Sequence, residues 1–501
     1  MSSKAMVVDA GALERKYGGR AGEVWQAVEG LTSADEGRGV QSMLVKLDDP
    51  NGPVGGAAID SGAGWVEVKG AIDALARETE LDYLVLLGGP DVLPHCDLDN
   101  PAGNDGDPSV PSDLPYACAA PASGSVADFI APTRVVSRIP DVPGATEPDV
   151  LLQILGSATN WEGRERERYE SYLGISAQVW EDSTRQSLTQ TFGNANSLHL
   201  SPHEGPDWTG TIEESLSHFA NLHGAPASAQ YFGQETKTEF PVAHDAALVD
   251  GRVLQGTIAA VEACYGGELF APLDGQIGIP LAYLRSGAYG FFGSTTIAYG
   301  PAVGNDYADI ICRLFLEALL GGASVGRAGL EARQQYAATA APLDPIDLKT
   351  LAQFLVLGDA SVHPVAILED AIAPAAKSDR RKRLRETGKT LVEIPTWSQP
   401  LEVPDDGLLA TLREVAGVPN AGEASIASFS LSTRGEAHGL QALAFAPGGG
   451  EGAAEPETAP ATMHLLVQEI EIKDAPMTQR VAVLAIEEEG RLISVKTATT
   501  R

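Results

Sequence analysis

The sequence predicts an α/β protein with a mostly parallel central sheet, followed by a smaller C-terminal β-rich domain. Three observations carry this. Short apolar runs alternate with helical patterns along the first 360 or so residues, as parallel sheets with right-handed crossovers require. One run, Ile258 to Val261 within TIAAVEACYGGELF, has lost the polar–apolar alternation of a half-exposed strand, as happens when both faces are covered. After about Ile394 strand-like pieces follow one another with a single helical stretch among them.

In chain order, Ala5–Val8 is expected as a strand, Ala12–Leu31 as helical, Val40–Leu47 as a strand and Trp65–Glu78 as a helix. Tyr83–Leu87 is a further strand that stops at Gly88-Gly89-Pro90-Asp91. No GK[ST] or G-x-G-x-x-G accompanies that turn, so it is not read as a phosphate loop. Asp97–Ser125 is rich in Pro, Asp, Gly and Ser and reads as a long surface loop in which Ser112–Tyr116 docks on the body. Its acids, Asp97, Asp99, Asp105, Asp107 and Asp113, have the chemistry for structural calcium but not the spacing of a calcium loop.

Val135–Ile139 and Tyr172–Trp180 are strands, with helices over Glu147–Asn160 and Ser183–Phe192. A helix from about Thr211 leads to an apolar patch, Phe219–Leu222, that ends in His223-Gly224. Ala288–Ser294 is another strand, Tyr307–Leu320 an amphipathic core helix, and Thr350–Leu357 leads into Gly358-Asp359. Beyond it, Lys377–Lys389 is a basic block. The tail holds strand-like pieces at Ala427–Ser432, Met463–Ile472, Arg480–Ile486 and Leu492–Thr497, a helix near Leu408–Val415 and a low-complexity loop at Gly448–Pro460.

Composition narrows the function classes. The chain has 501 residues and a formal charge of −33, which argues against nucleic acid, since phosphate contacts need clustered Lys and Arg. That charge would steer cationic substrates, although a generally acidic proteome gives the same composition. No apolar run approaches the ~20 residues of a membrane span, and MSSKAMVVDAGALERKYGG has no signal-like apolar region, so a cytoplasmic location and no membrane partner are expected. Four cysteines without a CxxC pair argue against a disulfide framework and a structural zinc site. No metal or other cofactor is required by any motif.

The chemistry concentrates at two strand ends. A thiol attacks a carbonyl only as thiolate, so Cys264 needs a neighbour that takes its proton, and His223 is the matching imidazole. The tetrahedral intermediate would be stabilised by the backbone N–H groups of Gly224 and Cys264, glycine allowing the close approach.

Together these residues resemble the gingipain family of cysteine peptidases. The resembling segments are Tyr83–Gly89, Ser112–Tyr116, Phe219–Gly224, Val261–Cys264, Gly290–Ser294, Gly326–Ala328 and Phe354–Asp359, in family order over about half the chain. The resemblance implies a caspase-like three-layer sandwich and endopeptidase activity on a protein or peptide substrate. Cys264 would be the nucleophile and His223 its base and acid. The expected organisation is an N-terminal α/β subdomain of the peptidase unit (1–170), a catalytic subdomain (171–372), a basic linker (373–395) and the β-rich accessory domain (396–501). The family carries an acid that orients the His; the nearest position here is Gln178. Arginine-specific members carry an Asp in the specificity pocket, and Glu181 or Asp182 falls near that place, which suggests basic P1 residues. Asp182 reads equally as a helix cap.

A basic-specific enzyme could cut itself at Arg380-Arg381-Lys382-Arg383, which otherwise reads as a charged linker. A regulatory partner bound through the C-terminal domain, a silent scaffold acting through that domain, and a cysteine acyl-transferase or amidase are the competing readings.

Overall fold

In the computed structural model the described residues are 2–501 except 52–57, 274, 367–373, 402–405, 419–422, 433–460, 471, 473–474 and 489. The expected Gly448–Pro460 loop lies outside them. A ten-stranded sheet spans the body. Its strands run, edge to edge, Val40–Lys46, Ser2–Val8, Tyr83–Leu87, Val136–Ile139, Phe354–Leu357, Gly290–Ser294, Ile258–Glu262, Ser217–Asn221, Tyr172–Ala177 and Leu198–Ser201. All neighbouring strands are parallel except Phe354–Leu357 and Gly290–Ser294, where the polarity reverses. Residues 1–170 and 171–372 therefore contribute to one continuous sheet.

Both faces of this sheet are covered, which explains the unbroken apolar runs. Along Ile258–Glu262, Ile258 and Ala260 enter one core while Ala259 and Val261 enter the other. Ala5 and Val7 against Met6 and Val8 repeat that alternation at the other end of the sheet. Helices Trp65–Glu78, Ala308–Leu320 and Val325–Ala340 supply residues such as Ile72, Phe315 and Ala328 to the first core. Helices Ala10–Tyr17, Ala21–Gly37, Asp149–Thr159 and Ile279–Arg285 supply Leu13, Val28, Leu155 and Leu281 to the second. Three layers follow directly from the period-2 side-chain geometry of strands buried on both sides.

Several local expectations are corrected. The Ala12–Leu31 stretch is two helices separated by a 3-10 turn at Gly18–Arg20, where Gly18 takes a φ of 51°. No helix begins near Thr211; turns occupy that region. Asp97–Ser125 is not a surface loop: it folds into a hairpin, Cys96–Asp99 with Ser109–Ser112, and buries Leu98, Val110, Leu114 and Tyr116. Charge explains how so acidic a segment can be internal. Lys349 Nζ lies 2.5 Å from Asp105 and 2.6 Å from Asp107, and Arg138 lies 2.6 Å from Asp113. Pairing of this kind is what lets a carboxylate leave water.

The tail forms a second sheet, antiparallel throughout, ordered Tyr299–Gly300, Arg491–Thr500, Gln479–Glu488, Thr462–Ile470, Ala424–Ser432 and Thr396–Leu401. Its first strand belongs to the body, so the sheet is rooted beside the carboxyl ends of the central strands. The basic block forms part of a helix, Pro374–Leu391. No helix among the described residues is long and apolar enough to cross a membrane.

Candidate active site

Strand register brings the two sequence-predicted residues to the same sheet edge. Asn221 pairs with Glu262 across adjacent parallel strands, and His223 and Cys264 each follow two positions later. Past Asn221 the chain folds back on itself: the His223 N–H donates to the Phe232 carbonyl at 2.9 Å and the Phe232 N–H returns a bond at 2.8 Å. That return carries Gln234 to the imidazole.

His223 is fully buried, with its ring centroid 4.3 Å from that of Trp180 and 5.3 Å from that of Phe240. Its Nε2 lies 2.8 Å from Gln234 Oε1, and the Gln479 side chain reaches Nε2 at 3.2 Å. The Gln234 amide oxygen only accepts, and at 2.8 Å it is nearer than the Gln479 amide nitrogen at 3.2 Å, so the closer contact sets the proton on Nε2 and leaves Nδ1 its lone pair. Nδ1 is buried with no hydrogen-bond partner among the described residues. Burial pushes the imidazole down to about 3, the Gln234 bond opposes this, and the charge of Arg501 adds to it.

Cys264 is 4% exposed, and its Sγ lies 3.5 Å from the Ala298 carbonyl and 3.4 Å from the Ala298 N–H. Burial pushes the thiol up to about 12, with the Ala298 N–H pulling the other way. The chain turns sharply behind it: Tyr265 takes a φ of 57°, a left-handed conformation uncommon for a bulky residue. The Tyr265 hydroxyl donates to Asp107 at 2.6 Å and its N–H to the Thr296 carbonyl at 3.0 Å, which hold the turn.

Two N–H groups converge on one oxygen. Cys264 N–H lies 3.1 Å and Gly224 N–H 3.4 Å from the carbonyl oxygen of Arg501. A Cβ on Gly224 would overlap the Cys264 carbonyl, so only glycine allows the two strand ends this approach.

The Arg501 side chain, fully buried, fills a pocket lined from several elements. One terminal nitrogen lies 2.9 and 3.1 Å from the two carboxylate oxygens of Asp309, 3.0 Å from the Pro301 carbonyl and 3.4 Å from Ser183 Oγ. The guanidinium carbon stands 4.4 Å from the centroid of the Trp180 ring, a cation–π arrangement. Asp309 is held in turn by Ser183 Oγ at 2.7 Å and the Asp306 N–H at 3.2 Å. Glu262 is buried nearby, and its carboxyl is pushed well up, by burial first and then by Asp309. A side chain at Gly300 would collide with the Arg501 guanidinium.

The other sequence candidates lie elsewhere. Glu181 pairs with Arg185 at 2.7 Å and Asp182 is exposed; both sit in the first turn of the Glu181–Phe192 helix. That helix faces the pocket with Ser183 instead. Gln178 has a buried amide oxygen without a partner among the described residues, and the amide on His223 is that of Gln234. Lys382 and Arg383 are exposed on their helix, and the side chains of Arg380 and Arg381 lie outside the described residues. Sequence reasoning missed Gln234, Trp180, Asp309 and Arg501. Asp309 carried one faint signal, an acid in the first turn of an otherwise apolar helix, but dipole complementarity accounts for that equally well.

No family model matches this chain, and no curated protein matches it. It is similar to a solved chain described as "Structure of Protease", at 12% identity and a TM-score of 0.49, over 99% of this chain and 97% of the other.

Proposed function

We propose that this chain is a cysteine endopeptidase that cleaves after arginine. The convergence of the Cys264 and Gly224 N–H groups on the backbone carbonyl oxygen of Arg501, at 3.1 and 3.4 Å, carries the reading. It gives a carbonyl oxygen beside the backbone of Cys264 the two donors that would stabilise an oxyanion. In the proposed reaction Cys264 Sγ gives its proton to His223 and bonds to the carbonyl carbon. The tetrahedral oxyanion accepts from both N–H groups. His223 then donates the proton to the departing amine, leaving a thioester that water hydrolyses with His223 as base.

The side chain N-terminal to the cut would occupy the pocket of Asp309, Trp180, Ser183 and Pro301. One feature of that pocket supports arginine over lysine: the guanidinium carbon stands 4.4 Å from the Trp180 ring centroid, the cation–π contact that a weakly hydrated guanidinium makes more readily than an ammonium. Gly300 supports it as well, by leaving room for the guanidinium. A silent scaffold has no use for paired donors beside a thiol, so the peptidase reading accounts for more of the geometry.

The test is hydrolysis of matched fluorogenic peptides ending in Arg, Lys, Gln or Asp, by Arg501→Ala and by Arg501→Ala with Cys264→Ala. Turnover confined to the thiol-bearing protein and highest on Arg supports the reading. Equal turnover by both proteins would refute it.

A further inference from the structure

The same contacts describe an enzyme whose substrate groove is already filled. Arg491–Thr500 pairs antiparallel with Tyr299–Gly300, matching Thr500 to Tyr299 and Thr499 to Gly300, which is how an extended peptide adds to a sheet edge. Arg501 supplies both the carbonyl in the donor pair and the guanidinium in the Asp309 pocket. The neighbouring strand adds Gln479, against His223 at 3.2 Å. Outside the groove, Lys496 reaches Asp306 at 2.6 Å and Asp344 at 3.7 Å, clamping the strand to the body. The tail sheet also closes over the thiol, since Cys264 shares one apolar cluster with Met463, Leu465, Leu484 and Ala498.

We propose that the Arg491–Arg501 segment is a built-in competitor that holds the chain latent until it is withdrawn from the groove. This rests on the peptidase reading of the same site. A tethered occupant acts at an effective concentration of about millimolar, so a free peptide must displace it before reaching Cys264. The pairing strand, the donor pair and the arginine pocket are taken together, so partial fraying at one of them does not open the site. Withdrawal would also uncover Tyr299–Gly300 as a free strand edge for an arginine-bearing peptide.

The experiment separates occupancy from chemistry by measuring binding in a Cys264→Ala background. A fluorescein-labelled peptide with the sequence of residues 497–501 is titrated by fluorescence polarisation into full-length Cys264→Ala and into Cys264→Ala with Arg501→Ala. Lys496→Glu in the same background loosens the clamp with the pocket intact and serves if the Arg501 variant does not fold. The inference expects affinity at least about tenfold higher once Arg501 or Lys496 is replaced. Equal affinity for the parent and the folded variant, including no binding by either, would overturn it. Binding gained by the variants while thiol-bearing Arg501→Ala hydrolyses nothing would instead overturn the peptidase reading alone.

Discussion

The backbone N–H of Cys264 donates to the carbonyl oxygen of Arg501 at 3.1 Å, joining the end of a central strand to the last strand of the tail. This bond ties the thiol, the paired donors and the arginine pocket into one site. It also sets what each substitution should do.

In the Arg501→Ala background, Asp309→Asn should lower kcat/KM on arginine peptides by about 10²–10⁴-fold, because removing one partner of a buried, hydrogen-bonded charge pair costs about 3–5 kcal/mol. The carboxylate loses its charge while its contacts with Ser183 and the Asp306 N–H keep the shape. Comparing arginine and citrulline peptides checks the assignment: the variant should lose most of the preference between them. An undiminished preference would move the charge-reading group elsewhere.

In the Arg501→Ala background, Gly224→Ala should abolish turnover and lower the melting temperature. Its Cβ would meet the Cys264 carbonyl, which is backbone and cannot swing away. Differential scanning calorimetry alongside hydrolysis reads both effects. A variant with the melting and activity of its Arg501→Ala parent would show that the two strand ends do not approach this closely.

In the Arg501→Ala background, Gln234→Ala should reduce kcat by about 10²-fold, near the lower end of what a positioned base contributes, with KM little changed. The loss is one of tautomer and orientation, since Gln234 Oε1 holds the Nε2 proton at 2.8 Å. Gln234→Glu is the informative companion. A carboxylate there favours the imidazolium and should move the acid limb of the pH–rate profile upward, which a purely structural role would not do.

The thiol and imidazole shifts fix the pH dependence. Burial pushes Cys264 up to about 12, so in the intact chain its alkylation by iodoacetamide should rise about tenfold per pH unit from pH 7 to 10 without a plateau. In Arg501→Ala, water reaches the sulfur and the plateau should appear at lower pH. For stability the signs are opposite at the two ends of the scale. Above about pH 9 an unfolded chain loses a thiol proton that the native state keeps, so this group's contribution falls as pH rises towards 12. His223, held neutral down to about 3, contributes fully above its ordinary value of 6.5, and its contribution is lost as pH falls from there towards 3. Thiol titration and NMR of the imidazole follow these changes residue by residue.

The parts of this site legible in the sequence were those written into strand ends. Ile258–Val261 announces itself by an apolar run and Phe219–Leu222 by an apolar patch, and parallel pairing of the strands they belong to then carries the residues just beyond to one edge. The double-sided core was legible for the same reason: continuous apolar strands need cover on both faces. Gln234 and Asp309 were not, because each arrives through tertiary folding: one by the return at Phe232, the other on a helix packed from elsewhere. The acidic 97–125 stretch was misjudged because Lys349 and Arg138, which neutralise it, lie far along the chain. Arg501 carries no local signal; its role comes from pairing of the tail with Tyr299–Gly300.

Most direct is covalent labelling with an arginine-bearing acyloxymethyl ketone, applied to Arg501→Ala and mapped by mass spectrometry. A single adduct on Cys264, absent when His223 is also replaced by Ala and slower to form in the intact chain, is the expected result. An adduct spread equally over Cys96, Cys118, Cys264 and Cys312, or one on Cys264 that forms as fast without His223, would contradict a Cys264–His223 peptidase.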